Sequence, residues 1–139
     1  MFLFSYGRAT EWESEVIERR GLRGIPVEAV AADPGDAAAR ALRELEDGFD
    51  RLLVHFDVDA VDFTDLPLSE NTGRNEGLPF SVAMQALGTL LGSERLAAVT
   101  VTEFNPDHGE EDGSTAEALA DGLARALSGS PALGSPKDL

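Results

Sequence analysis

The chain has no cysteine, which excludes disulfides, a thiolate nucleophile and a thiolate metal site. It is also short of bases: 11 Lys and Arg stand against 26 Asp and Glu, for a net charge of −15 at pH 7. That balance argues against nucleic acid or an anionic membrane surface as a partner, and it suits a cationic ligand, a metal or simply a solvated acidic surface. No apolar run approaches the ~18 residues of a membrane helix. The first residues lack a signal-peptide pattern, so a soluble cytoplasmic protein is the expectation. No G-x-S-x-G elbow, P-loop or G-x-G-x-x-G is present, which leaves serine nucleophilic catalysis and nucleotide binding without motif support.

What is present is the composition of one soluble globular domain. The 139 residues are 42% hydrophobic and 27% charged, enough to bury roughly two-thirds of the unfolded surface. "FLFSYGR" (2–8) reads as a strand stopped by Gly7. "TEWESEVIERRG" (10–21) reads as a helix with a capping box from Thr10 to Glu13, a modest apolar stripe of Trp12, Val16 and Ile17, and a stop at Gly21. "GIPVEAVAA" (24–32) is a weak strand or an extended connection. "DPGDAAARALRELEDG" (33–48) is a helix capped by Asp33 with Pro34 in its first turn.

"DRLLVHFDVDAVDF" (50–63) is the best strand. Residues 66–79 have loop composition and a length that suggests a working loop. "PFSVAMQALGTLLGS" (79–93) is a helix burying Val82, Leu87, Leu90 and Leu91; "RLAAVTVTEFNPD" (95–107) is a strand; and 114–128 is a helix capped by Ser114 with Glu117. Residues 1–128 therefore read as one α/β domain, and 129–139, rich in Gly, Ser and Pro, as a disordered tail. Strands alternating with three-turn helices imply parallel strands, buried on both faces, with ligands bound beyond their carboxyl ends.

Both good strands end in acids: Asp57 and Asp59 on one, Glu103 on the other. If the first strand continues through 59, Asp57 and Asp59 share a face. Two carboxylates held so close favour a bound proton or a cation between them, and oxygen ligands suit Mn²⁺ or Mg²⁺. The alternative is two solvated aspartates just past the strand. His55 lies on the same face but ~6.5 Å down the strand, which suits a packed or supporting residue better than a ligand. His108 reads as a surface histidine of a polar loop.

"HFDVDAVDF", "GLPFSVAMQAL" and "VTEFNPD…STAEALADGLARAL" together resemble the C-terminal half of the arginase/agmatinase/formimidoylglutamase family, the ureohydrolases. The upstream "SYGR…EWE" is similar to the family's G-x-R…E segment, so the resemblance runs from about Leu3 to Leu127. It implies an arginase-like three-layer fold in which Asp57 and Asp59 ligate a binuclear Mn²⁺ cluster. It implies that Glu103 engages the guanidinium or amidine head of a small amino-acid-like substrate, and that Thr72 and Arg74 belong to the substrate loop. His55 and Asp62 fall in supporting positions around the ligands. The implied chemistry is attack of a metal-bridging hydroxide on the amidine carbon.

Several positions depart from the family pattern. His55 stands where a serine is usual, Phe63 where D-P has its proline, "SENTGRN" where G-T-G-T-P is expected, and Val82 where a helix glutamate is frequent. The family's other metal ligands, a histidine and a D-x-H-x-D cluster, have no counterpart here. Met1 running straight into "FLFSY" fits a fragment of a longer enzyme; a split enzyme and an inactive remnant are the alternatives. A binding or assembly module that keeps the fold without the site is the competing function. A metal-dependent deacylase is a more distant one, against which the F-D-x-D and E-x-N-P combination speaks. A half domain exposes strand edges and apolar faces, so a homo-oligomer or a complementing N-terminal half is the expected partner.

Overall fold

The computed structural model describes residues 1–73 and 76–131. Strand β1 (Phe2–Tyr6) leads to helix α1 (Glu11–Arg20). The capping box forms as the sequence predicts. Thr10 Oγ1 accepts from the Glu13 amide at 3.3 Å, and Glu13 Oε2 accepts from the Thr10 amide at 2.7 Å. Gly21, at φ 58°, ends the helix. The apolar stripe does not become a buried face: no residue of α1 is buried, and Trp12 is 70% exposed. Acids and arginines fill most of the other positions, so little apolar area is left to dock the helix.

Strand β2 (Arg23–Pro26) pairs in parallel with β1. The extended connection expected through residue 32 is instead helix α2 (Val27–Ala32). Pro26 precedes its first turn, and Ala29, Ala31 and Ala32 are strong helix formers that outweigh the β-branched Val27 and Val30. Helix α3 (Pro34–Glu46) starts where expected, with Asp33 Oδ1 accepting from the Asp36 amide at 2.9 Å.

Strand β3 (Leu52–Asp57), helix α4 (Phe80–Leu91), strand β4 (Leu96–Thr102) and helix α5 (Ser114–Ser128) complete the order. Ser114 is not the cap of α5: Gly113, at φ 80°, holds that position, and Ser114 is the first helical residue. The Ser114 amide is taken by Asp112 Oδ1 at 2.9 Å. The side-chain and backbone hydrogen bonds from Ser114 hold the exposed Asp112 carboxyl below the usual carboxylate range. The Ser130 amide donates to the Leu127 carbonyl at 2.8 Å, and the tail expected at 129–139 lies from residue 132 onward outside the described residues.

Among the described residues the strands form two two-stranded parallel sheets, β1–β2 and β3–β4. In the second, His55 lies opposite Thr100 and Asp57 opposite Thr102. One face of β3 enters the core through Phe56, joining Val58, Leu68, Leu87 and Leu91, and Leu52 is buried at the start of the strand. Small residues let α3 and α4 approach: Ala37 and Ala41 are buried on one, Ala83 and Ala86 on the other. Arg95 then pins the end of α3 to the start of β4, donating to the carbonyls of Glu46 and Phe49.

The expectation that both faces of the strands are buried fails on β3–β4. Leu53 is 76% exposed in mid-strand and Val101 41% exposed, although parallel sheets are normally covered on both sides. Among the described residues no helix is long and apolar enough to cross a membrane.

Ser5 interrupts β1. It adopts φ 58° where the β1–β2 register breaks, and its buried Oγ has no hydrogen-bond partner. Ser5→Gly removes both costs, against a larger loss of chain entropy on folding. The expected result is a stability gain of about 1 kcal/mol, read from the urea midpoint. An unchanged or lower midpoint would show that Ser5 is not strained.

Candidate metal centre and substrate rim

The site begins where β3 stops. The strand ends at Asp57, six residues earlier than the sequence suggests, and Val58–Ala60 form a 3-10 turn. Asp57 caps that turn, its Oδ1 accepting from the Asp59 amide at 2.8 Å. Strand alternation therefore does not relate the two aspartates; a capped turn ties the Asp59 backbone to the Asp57 carboxylate. Phe56 and Val58 are both buried because the chain curls inward after Asp57. Asp59 follows Val58 in and is only 8% exposed, with its Oδ1 buried and without a hydrogen-bond partner.

A buried carboxylate oxygen without a donor is costly unless a cation or proton meets it. That orphaned hard oxygen, two residues past Asp57 at the carboxyl end of a parallel strand, fits Mn²⁺ or Mg²⁺. The set is incomplete, however: among the described residues no three His, Asp or Glu side chains converge as a metal site.

The neighbouring residues frame the turn. Asp62 Oδ1 accepts from the amide and hydroxyl of Thr64 at 2.8 and 2.6 Å, which commits it to closing the 62–65 turn. Asp65 Oδ2 reaches the Phe80 amide at 2.5 Å and so caps α4 across 15 residues. His55 lies on the exposed face of the sheet, not packed as expected. Its Nδ1 and Nε2 meet the hydroxyls of Thr100 and Thr102 at 2.7 and 3.1 Å. Both ring nitrogens are thus engaged by β4.

At the end of β4, Glu103 is exposed and adopts φ 55°, a conformation uncommon outside glycine. Loop 66–73 is laced to this end. The Glu70 amide donates to the Glu103 carbonyl at 3.1 Å, Ser69 bridges Phe104, and the Asn105 amide donates to the Leu68 carbonyl at 2.7 Å. Thr72 is exposed beyond this lacing, inside a turn that Asn71 Oδ1 closes on the Gly73 amide. Arg74 lies outside the described residues.

The acids Asp57, Asp59, Glu70 and Glu103 thus come from the carboxyl ends of β3 and β4 and from the loop tied between them. A rim of this charge suits a cation. A surface hollow lined by Glu46, Ser93 and Arg95 lies at the opposite, amino end of β4. Ser69, Asn105 and Gly77 also frame the site, with no role evident from the sequence. His108, a surface histidine by its sequence, is half-buried and bonded to the Ser69 carbonyl. The Asx-type spacing of Asn105 and Asp107 after the strand was the signal for the turn that carries it.

The same fold is found in solved arginases. The Helicobacter pylori arginase superposes with a TM-score of 0.80 at 24% identity, over 92% of this chain and 43% of that one. The Bacillus caldovelox arginase gives 0.78 at 19%, over 91% and 42%. A Bacillus subtilis formimidoylglutamase gives 0.75 at 16%, over 94% and 42%. The chain therefore spans about two-fifths of the length of these relatives. No curated protein matches it in sequence. The model of the arginase family, however, matches residues 4–128, most of the chain. The chain, an α/β unit of parallel strands with flanking helices, belongs to the arginase family.

Proposed function

We propose that this chain contributes Asp57 and Asp59 to a dinuclear Mn²⁺ centre in a ureohydrolase. Such an enzyme hydrolyses a linear amidine C–N bond, guanidino or formimino, of a small amino-acid-like substrate. The observation that carries this reading is the buried, unpartnered Asp59 Oδ1 beside Asp57, in a chain of the arginase family. The neighbouring solved structures, arginases and a formimidoylglutamase by name, support an amidine substrate class.

Each residue has a defined task in this reading. The Asp59 amide fixes Asp57 Oδ1, so the Asp57 carboxylate is ordered before any cation arrives. Glu103, exposed at the end of β4, accepts from the N–H groups of a cationic amidine as a charge-assisted pair. Thr72 meets the rest of the substrate, and Arg74 takes the same task by the family resemblance alone. His55 and Asp62 hold the strand and the turn on either side of the aspartates. When bound, Mn²⁺ supplies Lewis acidity and a water of lowered pKa. A histidine and a D-x-H-x-D cluster, from further polypeptide or a partner chain, complete the ligand set.

The test is release of urea, formamide or ammonia from guanidino and formimino compounds, with Mn²⁺ and polypeptide that supplies those ligands. Release that Mn²⁺ stimulates is expected. Asp57→Ala/Asp59→Ala should abolish it, and Glu103→Gln should lower kcat/KM by about 10–100-fold. No release from any such compound would overturn the reading.

A second reading, a binding or assembly module without catalysis, is favoured by the open sheet face around Leu53. The same face supports a homo-oligomer or a complementing half as the partner in either case. Equal and negligible Mn²⁺ binding by wild type and the double aspartate variant, measured by calorimetry, would favour the module.

A further inference from the structure

We propose that His108 is a positioning residue for the substrate rim: a clasp, fixed in its Nδ1–H tautomer, that holds loop 66–73 against the end of β4. The word substrate rests on the function proposed above; the clasp itself rests on contacts within the chain.

His108 closes the 3-10 turn Pro106–His108, which follows β4. Asn105 caps this turn, its Oδ1 accepting from the Asp107 amide at 2.9 Å. Because the oxygen is taken by an N–H, the amide of Asn105 has one orientation. Its Nδ2 faces outward, 3.3 Å from Glu70 Oε2 and 3.4 Å from His108 Nε2. Nδ2 can only donate, so Nε2 of His108 must be the acceptor. On the other side of the ring, Nδ1 lies 2.8 Å from the Ser69 carbonyl. A carbonyl can only accept, so Nδ1 must carry the proton. Two independent neighbours therefore demand the same neutral tautomer. The ring plane is set by an edge contact with Phe63, 6.0 Å between centroids at 74°.

Ser69 is 1% exposed and Leu68 fully buried, so the loop backbone here has little access to water. Without His108, the Ser69 carbonyl is left an acceptor in a dry place. The clasp thus joins three stretches: Phe63, the pair Ser69 and Glu70, and Asn105. Directly beside it run the Glu70-to-Glu103 and Asn105-to-Leu68 bonds. Glu103 keeps a left-handed backbone without being glycine, and such a conformation persists only where its surroundings over-determine it. His108 therefore acts on Glu103 and Thr72 through the loop and never touches substrate itself. With both nitrogens committed, it is not a replacement metal ligand.

The test is NMR on the whole chain, comparing wild type with His108→Leu and His108→Asn. The ¹⁵N signature of wild type should show a protonated, pyrrole-type Nδ1 and a bare, pyridine-type Nε2. In the Leu variant the Glu70 and Asn105 amides should exchange roughly 10-fold faster or more, relative to core amides such as Leu87. In the Asn variant, whose amide N–H reaches from near the Nδ1 position, much of that protection should return. An Nε2–H tautomer would overturn the proposal. So would unchanged exchange at Glu70 and Asn105 in the Leu variant, or no recovery with Asn. If the Leu variant does not fold, the tautomer and the Asn variant still decide. No metal or substrate enters these readouts, so they stand or fall separately from the hydrolysis assay.

Discussion

Gly77→Ala is expected to destabilise the chain by about 2–4 kcal/mol and to displace the aspartate turn with it. A Cβ at Gly77 would lie 2.5 Å from Val61 C and from Asp62 N, and 2.8 Å from the Val61 carbonyl oxygen. These are backbone atoms, so no side chain can swing aside to make room. The contact exists because Leu78 pairs with Val61, with the Asp62 amide donating to the Leu78 carbonyl and the Leu78 amide to the Ala60 carbonyl, each at 2.8 Å. An added methyl pushes these strips apart and breaks bonds around Val61 and Leu78, which are 1% and 2% exposed. Ala60 ends the turn that begins after Asp57, so the shift reaches the carboxylates directly. Urea unfolding measures the loss; a change under ~0.5 kcal/mol would show that the strips can part freely.

Asp59→Asn is expected to change stability in opposite directions with and without metal. In chelator, the wild type buries a carboxylate oxygen with no partner. The amide is nearly isosteric and uncharged, so the variant should be more stable by about 1–2 kcal/mol. A neutral amide is a far poorer ligand for a hard cation. Mn²⁺ that stabilises the wild type by binding its folded state should therefore stabilise the variant much less. Thermal unfolding in chelator and in Mn²⁺ gives the four numbers required. A variant less stable than wild type in chelator, or an equal gain from Mn²⁺ in both, would mean that Asp59 is an ordinary structural acid.

Much of the fold was legible because its signals are local. Thr10 with Glu13, Asp33 with Pro34, and the apolar run at 52–56 each specify their element within a few residues. The reading failed where tertiary packing decides. Trp12, Val16 and Ile17 form an apolar stripe in the sequence, but no residue of α1 is buried and Trp12 is 70% exposed. The run 50–63 looked like one strand; its alternation of apolar and acidic residues hides the point at which Asp57 caps a turn and Val58 goes into the core.

The acids of the candidate site were visible for a related reason. Carboxylates at the end of an apolar strand are conspicuous in any sequence, so Asp57, Asp59 and Glu103 stood out. The turn that ties the Asp59 backbone to the Asp57 carboxylate was not visible. Nor was the lacing of residues 103–105 to loop 66–73, whose bonds join positions more than 30 apart in the chain. His108 was passed over because its partners are a backbone carbonyl 39 residues away and an amide whose orientation only the turn reveals. Leu53 carried no warning either, since an exposed leucine in mid-strand reads like any core residue until its face is seen to be open.

The most direct test is an anomalous difference map at the Mn absorption edge, from crystals of the protein together with polypeptide that supplies the remaining ligands, grown at saturating Mn²⁺. A peak within coordination distance of carboxylate oxygens from both Asp57 and Asp59 is the expected result, lost in crystals of Asp57→Ala/Asp59→Ala. A map with no peak between the two aspartates would contradict the metal role assigned to them.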